Sequence, residues 1–268
     1  MNLFFLNSFT SDPFGGNPAA VCLLEKEQDD LWMQKVAKQT SQPVTAFIHV
    51  TNDGYDLRWF TPVKEINLCG HGTLASAFVL WQKGVVNHHA EIRFHTKSGI
   101  LTARLSGDWI EMAFPIIPFK PEEAPKLLND GLGVKPLYAV KSKLDYILEL
   151  ESEAEVRAAD PNIELLSQLP VRAVVVTSRS DSNHYDYVSR FFSPSQGIKE
   201  DQVNGSSHCS LGPYWKSKLN KKEFAAYQAS ERGGELKIKV EEERVLISGQ
   251  AVLVFEGEAF FDHQSISV

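Results

Sequence analysis

At 268 residues, with 43% hydrophobic content, five Trp and sixteen Phe, the chain has enough apolar material for more than one core. A formal net charge of −7 excludes the basic surface that nucleic acid or an anionic membrane would require of a partner. No apolar run reaches transmembrane length. Three cysteines, an odd number, fit a reducing compartment better than a disulfide frame, so a cytoplasmic location is expected.

The pattern begins with a strand at Leu3 to Phe9, read as a strand and not a signal peptide because no basic segment precedes it. A dense turn signal follows at Ser11 to Pro18, then a strand at Ala19 to Leu24. Leu31, Trp32, Val36 and Ala37 recur at helical spacing, with Asp29 or Asp30 near the helix start. Strands are expected at Val44 to Val50 and Leu57 to Phe60. Glu91 to His95, Ile100 to Leu105 and Trp109 to Phe114 read as an antiparallel meander. Four prolines between Pro115 and Pro125 mark a linker. Beyond it, strands are expected at 137–140, 146–150, 171–177 and 188–192, with helices at 154–158 and 163–169. A further helix runs from Gly205 through Trp215 with a kink at Pro213, and Phe224 to Ser230 extends it. Strands at 236–240, 245–247 and 251–255 close the chain.

Two stretches stand apart. Cys69-Gly70-His71-Gly72 opens an almost wholly apolar helix, which must be buried on all sides. Its first N–H groups have no partner within the helix, and small residues there let an anion approach them. The same plan returns later. Arg58-Trp59-Phe60-Thr61-Pro62 matches Arg190-Phe191-Phe192-Ser193-Pro194, and Gly70 to Gly99 matches Gly205 to Gly234. The chain therefore reads as a duplication, with an N-terminal domain over 1–116 and a C-terminal domain over 117–268 whose last strand can pair back with the first.

Each candidate residue carries two readings. His71, in the first helical turn, is a neutral imidazole for proton transfer or a locally bonded histidine. Asp201 is an acid/base carboxylate or a loop cap. Ser206 and Ser207 are anion-binding hydroxyls or ordinary helix-start residues, and Asn17 is most simply a turn residue. In the register of the repeated glycines Cys69 pairs with Asn204 and not with Cys209, which argues against a two-thiol racemase and for buried, inert cysteines. Gly70-x-Gly72-x-x-Ala75 formally fits the dinucleotide fingerprint. It needs a parallel strand–helix–strand unit and an acidic residue about twenty positions on, where Glu91 sits among strands read as antiparallel. No spacing makes a metal site.

The motifs at 12–21 (DPFGGNPAAV), 57–75 (LRWFTPVKEINLCGHGTLA), 191–215 (FFSPSQGIKEDQVNGSSHCSLGPYW) and 228–236 (QASERGGEL) together resemble the phenazine-biosynthesis PhzF family. The resemblance implies an α+β, diaminopimelate epimerase-like fold of two pseudo-symmetric domains, each a mostly antiparallel, barrel-like sheet around a central helix. It also implies isomerase chemistry by proton transfer, without cofactor or metal, on a small carboxylic acid in the cleft between domains, in a homodimer. By motif, His71, Asp201 and Ser206 fall on catalytic positions, and Asn17, Gly70, Gly72, Gly205 and Ser207 on ligand-binding ones. The family's acid/base glutamate precedes Thr-Ala-Phe, a place that Val44 occupies here. That departure carries a second expectation, a catalytically silent ligand-binding or protein-interaction protein.

Overall fold

The computed structural model describes residues 1–261. Two compact units emerge: the first holds Met1–Pro13, Pro18–Met112 and the segment from Gln250, the second Phe14–Asn17 and Ala113–Gly249.

In chain order the first unit is built from β1 (Asn2–Ser8), β2 (Asn17–Leu24), α1 (Asp30–Thr40), β3 (Thr45–Thr51), β4 (Gly54–Phe60), β5 (Glu65–Ile66), α2 (Gly70–Gln82), β6 (Ile92–Thr96), β7 (Gly99–Ser106) and β8 (Trp109–Pro115). The second follows with β9 (Phe119–Pro121), α3 (Lys126–Leu132), β10 (Tyr138–Ser142), β11 (Asp145–Glu149), α4 (Glu153–Ala158), α5 (Ile163–Ser167), β12 (Ala173–Arg179) and β13 (Tyr187–Ser193). It ends with β14 (Ile198–Asp201), α6 (His208–Leu219), β15 (Glu223–Gln228), β16 (Gly234–Val240) and β17 (Arg244–Gly249), before β18 (Ala251–Glu258).

The two units repeat one pairing scheme. In the first, β2 and β3 are parallel, β3 and β4 antiparallel, β4 and β6 parallel, and β6 to β8 antiparallel. In the second, β11 and β12, β12 and β13, β13 and β15, and β15 to β17 stand in the same relations. The flanking strand is added differently. β1 takes β18 from the end of the chain, and β10 takes β9 from the segment just before it.

Each sheet is covered on both faces, which is why its central strands read as unbroken apolar runs. Thr45, Ala46, Phe47 and Ile48 of β3 are all buried, and Phe47 joins Met33, Val36 and Ala37 of α1 in one cluster. In β12, Val174 and Val176 pack against the layer of α3, α4 and α5. Thr177, on the opposite face, accepts a hydrogen bond at its hydroxyl from the Trp215 indole of α6 at 3.1 Å. The α2 helix is buried from Gly70 through Ala77 and again from Val79 to Trp81, as a helix without a polar face must be.

Several expectations need correction. Phe224 to Ser230 is not helical: β15 covers most of it, and the alternating burial of Phe224, Ala226 and Gln228 shows a strand period. The second central helix opens with a tight 3₁₀ turn at Gly205–Ser207 before α6 begins at His208. Pro213 lies inside α6, and the carbonyl its missing N–H leaves free, that of Cys209, accepts Ile117 N–H at 3.0 Å. The proline-rich stretch is therefore no loose linker. Besides Ile117, Ile116 donates to the Glu243 carbonyl at 3.2 Å, and Phe119–Pro121 is the strand β9. The strands around α2 are also not all antiparallel, since Tyr55 and Asp56 of β4 pair with Phe94 and His95 of β6 in parallel.

His208, fully buried at the start of α6, meets the Tyr187 hydroxyl at 2.8 Å through Nδ1, and Tyr187 stacks on Trp215. Burial pulls the His208 imidazole down to about 3 from its usual value near 6.5. As pH falls below about 6.5 the unfolded chain takes up a proton that the folded chain refuses until about pH 3, so stability drops across that window. Urea unfolding between pH 6 and pH 4 is expected to show a slope shallower by up to about 1.4 kcal/mol per pH unit in His208→Gln than in the parent.

Candidate active site

In the first unit, β4 leads through β5 into α2, and Arg58 locks this passage. Its guanidinium donates to both Glu65 oxygens at 2.8 and 2.9 Å and lies over the Phe60 ring at 5.3 Å. Cys69 then caps α2 in an extended conformation, its sulfur accepting Gly72 N–H at 3.4 Å. Gly70, His71 and Gly72 share the first turn. The Ser8 hydroxyl of β1 donates to the His71 carbonyl at 2.8 Å, and the imidazole Nδ1 lies 3.5 Å from Cys69 Sγ. Glycine at 72 is a packing requirement, because a Cβ there would stand 2.8 Å from Cδ1 of the Trp59 ring.

That contact decides the dinucleotide question. The parallel β4–α2–β6 arrangement meets one requirement of the fingerprint. But the fingerprint's second glycine exists to admit a pyrophosphate, and here an indole fills the space beside it. Glu91 precedes β6 instead of ending it, and its carboxylate pairs with Arg104 at 2.5 Å.

The second unit repeats the frame. Arg190 forks onto Glu200 at 2.7 and 2.9 Å and lies over Phe192 at 4.9 Å. Asn204, at the place of Cys69, caps the 3₁₀ turn by accepting Ser207 N–H at 2.8 Å. Here the structure gathers Asn17, Asp201, Gly205, Ser206 and Ser207. Asn17, wholly buried, donates Nδ2 to Asp201 Oδ1 at 2.6 Å and to the Val203 carbonyl at 2.9 Å. Asn204 Nδ2 donates to the other Asp201 oxygen at 2.8 Å. Both carboxylate oxygens are thus oriented by neutral amides. The turn that delivers Asn17 is itself held, with Gly16 N–H on the Gly233 carbonyl at 2.9 Å and the Arg232 guanidinium on the Gly15 and Gly16 carbonyls at 2.8 Å each.

Sequence reasoning did not foresee four participants. Ser206 donates to Asn204 Oδ1 at 2.9 Å while accepting Arg172 Nη1 at 2.8 Å, so its single proton is committed within the unit. Arg172 is fixed by Asp145, with bonds of 2.8 and 2.5 Å to a side chain only 4% exposed. Gln228 accepts Asn204 N–H at 2.8 Å and donates to the Asp201 carbonyl at 2.5 Å. Asn204 was readable as a cap, standing directly before Gly-Ser-Ser. Arg172 and Asp145 carry no local signal, being separated from each other by 27 residues. Val44 is fully buried, its carbonyl accepting Ala20 N–H at 2.9 Å.

A cavity of about 270 Å³ in the first unit, walled by Met33, Phe47, His49 and Arg58 among others, includes none of the predicted site residues. Among the described residues no cluster of His, Cys, Asp or Glu is placed to hold a metal ion, and no helix is long and apolar enough to cross a membrane.

The family model for phenazine biosynthesis-like proteins, PhzC-PhzF, matches residues 6–257. The chain belongs to the PhzF family. It is 51% identical to an uncharacterized isomerase of Halalkalibacterium halodurans, over 96% of this chain and 97% of that one. It is 41% identical to an uncharacterized isomerase of Pseudomonas aeruginosa, over 96% and 98%. A crystal structure of a PhzF-family protein from Enterococcus faecalis superposes with a TM-score of 0.92 at 38% identity, covering 97% of this chain and 98% of that one. The fold is accordingly the diaminopimelate epimerase-like one.

Replacing Asn204 with Ala removes a cap and one tether of Asp201, and chemical denaturation is expected to show a loss of about 1–2 kcal/mol. Gly72→Ala, which forces a methyl group against Trp59, is expected to cost about 1–3 kcal/mol in the same measurement.

Proposed function

We propose that this chain is a PhzF-like isomerase that moves a proton on a small carboxylic acid with its own side chains and without a cofactor. Two of its relatives bear the name isomerase. The observation that carries the reading is Asp201. A carboxylate gripped at both oxygens by Asn17 and Asn204 is oriented as a proton-transfer group must be, which a simple loop cap does not require. In this reading Asp201 exchanges the proton with a carbon of the ligand, and N–H groups of the Gly205–Ser207 turn take the ligand's carboxylate. His71, in the first turn of α2, is a second candidate proton-transfer group of this reading. We propose a cytoplasmic location and a homodimer as the working form, and sedimentation of the purified chain tests the dimer.

Solvent-deuterium incorporation into a panel of small amino, hydroxy and unsaturated acids, read by NMR at high enzyme concentration, is the test. Incorporation into at least one acid, reduced about 100-fold or more in Asp201→Asn, is the expected result. Absence of incorporation throughout sinks the proposal. Val44 favours a second reading, a silent binding protein, because its side chain carries no proton. An unmodified acid that co-purifies with the chain, with exchange appearing only in Val44→Glu, is its signature.

A further inference from the structure

One face of the repeated sheet is covered in the second unit and open in the first. With Arg58 set against Arg190, the row His49, Asp56 and His95 across β3, β4 and β6 matches Ser178, Val188 and Tyr227 across β12, β13 and β15. In the second unit α4 lies on this row. Val156 shares a core cluster with Val188, and Arg157 stands over the Tyr227 ring at 5.4 Å. Arg190 Nη1 donates to the carbonyls of Arg157 and Ala159, at the end of that helix, at 3.0 and 2.6 Å.

The first unit has no helix in that place. There β2 passes to α1 through residues 25–29, and the cavity of about 270 Å³ opens beside the link. Glu27, Asp56, Arg58 and His95 stand in its wall, with the apolar side chains of Leu24, Met33 and Phe47. Arg58 commits Nε and Nη2 to Glu65 and Asp30. Its Nη1, the nitrogen that in Arg190 meets a helix end, has no acceptor among the described residues. Lys97, also in the wall, is paired with Glu65. Asp56 and Glu27 have no hydrogen bond or ion pair among the described residues, so the charge left over in the cavity is negative. His95 donates Nε2–H to the Asp53 carbonyl at 2.9 Å, which leaves Nδ1 of the neutral ring as an acceptor. Where the second unit puts an apolar Val188 under a cover, the first puts an unpaired carboxylate beside open space.

We propose that this cavity is a ligand site apart from Asp201, and that it takes a free amino acid with an apolar side chain. The ammonium group meets Asp56, with Glu27 and His95 Nδ1 as its further acceptors. A carboxylate oxygen accepts the Arg58 Nη1–H, in the part that the α4 carbonyls play at Arg190. The side chain lies against Leu24, Met33 and Phe47, where removal of its apolar surface from water favours binding. Drug-sized ligands occupy pockets of about 300–1,000 Å³, so the space here suits a molecule this small. Opposite charges at two ends of one ligand answer both the surplus carboxylates and the open guanidinium N–H, which an amine or an acid alone does not. The site shares no residue with the isomerase reading and does not depend on it.

Calorimetric titration of the intact chain with leucine and methionine, and with 4-methylpentanoate and 3-methylbutylamine, tests this. The last two are leucine without its amine and without its carboxylate. At least one of the two amino acids is expected to bind, with each truncated analogue weaker than leucine by about tenfold or more. Asp56→Asn should weaken amino acid binding by a similar factor, and so should Asp56→Val, which installs the residue of the second unit. Asp56 has no partner to lose, so both variants keep the fold. Asp201→Asn should leave the affinity unchanged. No binding of either amino acid at about 10 mM overturns the inference. So does an amine or acid analogue that binds as tightly as leucine, or binding that survives in Asp56→Asn and is lost in Asp201→Asn.

Discussion

Two buried helix starts set the terms for this structure. A helix that begins inside a protein leaves N–H groups that water cannot satisfy, and each must find an acceptor or face a ligand. In the first unit the acceptor is a sulfur, Cys69, and in the second a carboxamide, Asn204. The choice has consequences. A carboxamide also donates, and Asn204 uses that capacity to grip Asp201. A thiol has little to donate, and Cys69 leans on an imidazole instead. The same structural need is met by different chemistry in the two turns.

The duplication shows which features the fold itself demands. Both units keep an arginine forked onto a glutamate, Arg58 on Glu65 and Arg190 on Glu200, with the guanidinium over the aromatic ring two residues on. Each glutamate stands five residues before its glycine, Gly70 or Gly205. These pairs hold the strand that feeds the buried helix. The next residue breaks the symmetry: Asp201 occupies the place of Ile66, and His71 that of Ser206. What the fold requires is repeated, and the candidate chemistry sits where the copies differ.

The elements misread from sequence share a cause. Phe224 to Ser230 has a helix-compatible composition, yet it becomes β15 because β13 and β16 offer it partners on both sides. Pro213 ordinarily disrupts a helix, but an acceptor it strands inside α6 is claimed by Ile117 from a segment whose prolines suggested a linker. In each case a partner far along the chain overrode a local preference.

By itself the sequence determined the duplication, the buried character of α2 and the residues of both helix turns, since these depend on periodicity and on contacts within a few residues; the loop cap it offered at Asp201 falls instead to Asn204. Only the tertiary structure decided that Asn17 reaches Asp201 across 184 positions, that Arg172 and Asp145 stand behind Ser206, and that the Trp59 ring closes over Gly72. Side-chain hydrogen bonds of that span leave no periodic trace, because their partners are brought together by the pairing of strands and not by spacing along the chain.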